Sequence, residues 1–119
     1  MINMTPVKKS TLSGGVAVDS EESETAWEYQ QSLTGASTGE WIAFPIGADS
    51  LSLILQIISG TGRLEYTTDS IDSVIANTAI AQNWDAGNVA VTTSNVVFPI
   101  SAWRAVCVSG SLKAMGRAQ

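Results

Sequence analysis

Apolar and polar residues alternate with a period of two along most of this chain. In "LSLILQII" (51–58), Leu51, Leu53, Leu55 and Ile57 share one face, while Ile54 and Ile58 share the other with Ser52 and Gln56. In "AWRAVCV" (102–108), Ala102, Arg104, Val106 and Val108 alternate with Trp103, Ala105 and Cys107. Such alternation specifies strands, and a strand apolar on both faces lies under a second layer or is covered by another chain. Further strands are predicted near 26–33, 40–46, 63–68, 79–84, 88–93, 96–100 and 111–115, where β-branched and aromatic residues gather between turn signals. Those signals are "GASTG", "GADS", "SGTG", "DAGN" and "SGS". Eight or nine short antiparallel strands at this spacing predict an all-β chain with a single β-sandwich or jelly-roll-like domain. An immunoglobulin-like sandwich satisfies the same pattern. "SGTG" reads as a tight hairpin turn, with Gly60 or Gly62 at positive φ so that Leu64 and Tyr66 return against the 51–57 face.

The period lengthens once, in "DSIDSVIANT" (69–78), where Ile71, Val74 and Ile75 stand at i, i+3 and i+4. One or two helical turns are predicted there, with Asp69 or Ser70 as the cap. Residues 1–25 differ again, because isolated Ile2, Met4, Val7 and Leu12 are spaced among Ser, Thr, Gly and charge. They read as an extended N-terminal arm preceding a domain at 26–119, with those four residues as its anchors on partner surfaces. The apolar back face of 51–58, with Ile54 and Ile58, is the other candidate partner contact.

Composition narrows the chemistry. Apolar residues make up 45% of the 119 and charged residues 14%, with a net charge of −5. A nucleic-acid binder needs a basic stripe to displace counterions, and the six basic residues here are scattered. No stretch reaches the ~20 apolar residues of a membrane helix, and "MINMTPVKKS" lacks the basic-then-apolar order of a secretory signal. The absence of histidine removes Ser-His-Asp and Cys-His relays and the usual His-containing zinc sites. Cys107, in an apolar strand, reads as a small core residue.

Carboxylates remain as possible reactive groups. Glu40, Glu65, Asp69, Asp72 and Asp85 offer pairs of the sort that hydrolyse glycosides, but most adjoin turn residues, where Asp serves local hydrogen bonding. Asp19, Glu21, Glu22, Glu24 and Glu28 form either a solvated acidic loop or a site for a cation or basic partner. "TTDSID" and "NWDAGN" carry oxygen ligands without the spacing of a calcium loop. Trp27, Trp41, Trp84 and Trp103 are numerous enough to suggest sugar stacking, and Trp84, before "DAGN", is the one placed for exposure. No cofactor motif is present; "SGTG" precedes a strand and lacks a phosphate-loop lysine.

The succession "SGTG", "RLEYTTD", "NWDAG" and "PISAWRAVCVSGSLKAM" resembles small virion structural proteins of tailed bacteriophages over about residues 51–115. Those proteins carry a "GtG" hinge, a "veYTtD"-like strand, a Trp-containing segment and a "tAvRl..tsGs" strand. The matching positions are Gly60, Gly62, Tyr66, Thr67, Asp69, Trp84, Ala102, Arg104 and Gly110. The resemblance implies a non-enzymatic capsid decoration (cement) protein or head-tail accessory, assembled in the host cytoplasm and resident in the virion. It also implies a homo-oligomer, with a trimer favoured, that bears on the major capsid protein or other virion proteins. A carbohydrate-binding module of a tail fibre or spike, using Trp84, is the alternative.

Overall fold

The computed structural model describes residues 1–8, 11–13, 16–18, 25–83, 87–97 and 100–119. In chain order the elements are β1 (Ile2–Asn3), β2 (Thr5–Lys8), β3 (Thr11–Ser13), β4 (Val16–Val18), β5 (Thr25–Thr34), β6 (Ser37–Thr38), β7 (Ile42–Ala43) and β8 (Leu51–Thr67). They continue with α1 (Ile71–Ile75), β9 (Gln82–Asn83), β10 (Thr93–Val97) and β11 (Ala102–Ala118). The all-β sandwich reading holds, but it is built around two long strands rather than a set of short ones. β8 and β11 each run for 17 residues and pair antiparallel from Leu51↔Ala118 to Thr67↔Ala102.

A straight strand of that length would span roughly 55 Å at ~3.3 Å per residue. The longest dimension of the molecule is 47 Å. The two-stranded ribbon therefore bends, and its bend lies at the two segments that read as turns. Gly60 of "SGTG" stands opposite Gly110 of "SGS", at φ 72° and 75° respectively. A Cβ on Gly60 would run into the backbone of Ser109, and one on Gly110 into the backbone of Ser59. The hairpin at "SGTG" is thus corrected. Gly60 does take positive φ, but the chain continues as one strand and its partner is 50 residues away.

Two β-bulges flank the glycine pair. The register skips Ile58 in β8 and Val108 in β11. Because side chains alternate, one extra residue reverses which face each later side chain takes. Leu51, Leu53 and Leu55 point inward before the bulge, and Leu64 does so after it. Trp103, Ala105 and Cys107 point inward before the other bulge, and Leu112, Ala114 and Ala118 after it. Without the bulges the inner faces of the two halves would not match. Hydroxyls tie the crossing together with near two-fold symmetry. Ser111 N donates to Ser59 Oγ at 3.1 Å, and Thr61 N donates to Ser109 Oγ at 3.2 Å.

Each half of the ribbon gathers its own flanking strands. One half-sheet runs β2-β5-β11-β8-β10, and the other places β6 and β7 beside β11, β1 beside β7, and β9 beside β8. Their inner faces meet in a single core holding Leu51, Leu53, Leu55, Leu64, Trp103 and Leu112. Trp103 lies against Gly116, where any larger residue would meet the indole.

Residues 1–8 are not a free arm. β1 pairs parallel with β7, β2 pairs antiparallel with β5, and Met4 between them is 5% exposed in the core. The spacing that suggested external anchors at Ile2 and Met4 instead fills this chain's own sandwich, so the boundary drawn at residue 25 does not hold for them. β3 and β4 pair with each other as a separate two-stranded sheet. The predicted helix is present as α1. Ser70 is its cap, accepting from Ser73 N at 3.3 Å, and Asp69 instead accepts from Ile80 N at 2.7 Å.

Gly60→Ala or Gly110→Ala should cost ~3 kcal/mol in urea unfolding, adding left-handed strain to a backbone collision. Gly35→Ala, at φ 70° but facing open space, should cost only about 1 kcal/mol.

Candidate functional site

A cluster of charged side chains lies on the outer face of the half-sheet made by residues 61–67 and 102–107. Arg104 and Glu65 are direct cross-strand partners. Arg104 Nε and Nη2 each lie 2.9 Å from Glu65 Oε1, and Arg63 Nε lies 2.8 Å from Oε2. The Arg104 guanidinium carbon stands 4.2 Å from the centre of the Trp41 ring. Arg63 also donates to Asn88 Oδ1 at 3.2 Å. Glu65 is 5% exposed, so its charge is held out of water by two guanidinium groups, as a buried carboxylate requires.

The candidate carboxylates stand in different settings. Both Glu65 oxygens are occupied by arginine, and Asp69 fixes the chain where it returns after α1. Glu40 and Asp72 are exposed, and Asp85 lies outside the described residues. Glu65, Arg63, Arg104 and Trp41 form a brace between strands and the layer above them. Trp41 also packs with Val74 of α1 and with Ala102.

One concavity adjoins this brace, and a second lies beyond it, sharing Met1 and Ile75 with the first. The first, of about 400 Å³, is lined by Glu40, Trp41, Asn77 and Arg104 among others. The second, of about 440 Å³, lies where the N-terminal segment passes between half-sheets and is lined by Met4, Trp27, Phe44, Ile46, Ile71 and Ile75 among others. Among the described residues, no three His, Cys, Asp or Glu side chains are grouped to hold a metal ion, and no helix is long and apolar enough to cross a membrane.

The sequence-predicted contact residues are dispersed. Ile2 packs against the core and Met4 lies within it, so neither is a surface anchor. Val7 is half-buried in β2, and Leu12 lies in β3. Ile54 and Ile58 do stand on the outside, at 41% and 65% exposed. Of the tryptophans, Trp103 and Trp41 are buried and Trp27 is half-buried, whereas Trp84 lies outside the described residues. Ile46 was missed, although its signal was present. In "FPIG" a Pro and a Gly bracket an isoleucine in a turn, and a turn tip leaves its side chain in solvent.

No protein-family profile matches the chain, and no curated protein matches it significantly. Among solved structures it is similar to a subunit from Bacillus endospore appendages, described as disulfide-linked pili, at 13% identity and TM-score 0.47, covering 98% of this chain and 89% of that one. It is similar also to a cupin superfamily protein from Desulfitobacterium hafniense, at 14% identity and TM-score 0.42, covering 96% of this chain and 76% of that one. A third similarity is to cobalt(II) HppE in complex with substrate, at 11% identity and TM-score 0.42, covering 93% and 62%. Likenesses this distant assign no chemistry.

Replacing Glu65 by Gln leaves two guanidinium groups without their shared anion and should cost ~2 kcal/mol. Urea unfolding of E65Q in the wild-type and Arg104→Gln backgrounds checks this, with a clearly smaller cost expected in the second.

Proposed function

We propose that this chain is a non-enzymatic structural protein of a tailed-bacteriophage virion, of the capsid decoration type, working as a homo-oligomer that stabilises contacts between capsomers of the major capsid protein. The observation that carries the reading is where the residues of the virion-protein resemblance sit. Gly60 and Gly110 form the bend of the ribbon, Arg104 neutralises buried Glu65, and Thr67 and Asp69 shape the exit from β8. What the resemblance shares is thus the apparatus of a fold, with its strongest carboxylate already engaged by arginine. A protein of this design acts through its surface.

The mechanism is adhesion, with no bond made or broken. Ile54 lies on the outer face of one half-sheet, opposite Met115 in the ladder, and Ile58 projects from the bulge beside the bend. Covering such residues against a capsid releases apolar surface from water, at ~25 cal/mol per Å². A stable protein contact buries about 1,600 Å² in total, and several weak contacts per oligomer reinforce one another.

Co-sedimentation with capsids of the encoding phage that lack the protein tests the reading. Saturable binding at a fixed stoichiometry, with a higher temperature of capsid disruption, is expected; absence of binding overturns it. Changing Ile54 and Ile58 together to Asp should weaken occupancy roughly tenfold or more. The unfolding midpoint should be nearly unchanged, because both side chains are exposed. Trp fluorescence that host polysaccharide quenches, in place of capsid binding, would favour the carbohydrate-binding alternative.

A further inference from the structure

The second concavity has a shape that the capsid reading does not use. The turn Pro45–Ala48, closed by Ala48 N donating to the Pro45 carbonyl at 3.3 Å, carries Gly47 at φ 92° and holds Ile46 99% exposed. Across the concavity, Ile71 and Ile75 lie one helical turn apart on α1, and both are exposed while Val74 alone faces inward. Met4, Trp27 and Phe44 also line it, together with Met1 and the polar Asn3 among others. A fully exposed isoleucine on a constrained turn, beside a hollow edged by two more, is an apolar surface that no other described residue covers.

We propose that this patch is a two-fold self-association surface, in which Ile46 of each copy enters the hollow between Ile71, Ile75 and Phe44 of the other. Two features select a second copy as the occupant. Projection and hollow adjoin on one patch, so a two-fold axis through it seats both projections at once, the self-complementary condition of an isologous dimer. In a three-fold ring the projection and the hollow would have to face different neighbours, which their adjacency opposes. Charge gives the second reason. The chain carries a net charge of −5, and none of the side chains lining this hollow is ionisable. Two acidic copies approach at less cost over an uncharged lining, the carboxylate beside it being Asp72, exposed next to Ile71 on α1. The arrangement differs from the trimer implied by the sequence resemblance.

Sedimentation velocity of the purified full chain, from low to high micromolar concentration, tests this without any capsid and so stands or falls apart from the virion reading. A dimer is expected. Ile46→Asp and, separately, Ile75→Ser should each raise the dissociation constant, Ile46→Asp by about a hundredfold, since each substitution enters a two-fold contact twice. Val91→Asp, exposed and outside the patch, should leave the dimer intact, and circular dichroism should report the native fold in all three variants. A wild-type monomer throughout, a trimer, or a dimer indifferent to both Ile46→Asp and Ile75→Ser overturns the proposal.

Discussion

The crossing of Gly60 and Gly110 is the constraint from which the rest of this structure follows. Two 17-residue strands can form one compact sandwich only if both bend at the same level. Two backbones can bend together only where neither carries a Cβ between them. The bulges at Ile58 and Val108 complete the device by reversing the alternation, so that odd-numbered inner residues on one side of the bend meet even-numbered ones on the other. Core, half-sheets and ladder register are consequences of that local geometry.

The outer face of the bent ribbon is treated differently in its two halves. Over residues 61–67 and 102–107 it is covered by α1 and the 79–81 segment, and there a carboxylate is enclosed by two arginines and an indole. A cross-strand ion pair in such a place specifies register, since a slip of one residue would bury Glu65 without the Arg104 guanidinium. Over residues 51–58 and 111–118 the outer face is open and carries Ile54. Architecture occupies the outer face of one half, and that of the other is open to solvent.

Much of this was legible in the sequence because it is local. Leu51, Leu53 and Leu55 declare their shared face, Ser70 declares a helix cap, and β-branched runs declare strands. The bend was not legible, for a physical reason. Glycine at positive φ serves a hairpin turn and a bulged kink equally well, and the difference lies in which strand stands opposite. For Gly60 that strand is 50 residues further along the chain. Met4 and Ile2 failed in the same way: isolated apolar residues in a polar stretch carry no mark of whether they will be buried at home or abroad. α1 showed the converse, since its apolar spacing was read correctly and yet two of its three apolar residues remained in solvent.

The central strand of the sandwich, β11, is also the last element of the described chain. During synthesis, β5, β6, β7 and β8 therefore leave the ribosome before the strand that pairs with all four has been made. The uncharged run at 51–58 waits first for β10 at 93–97 and then for β11, a period in which such a segment is most prone to pair wrongly. The two half-sheets are accordingly joined only once residues 102–118 have been made.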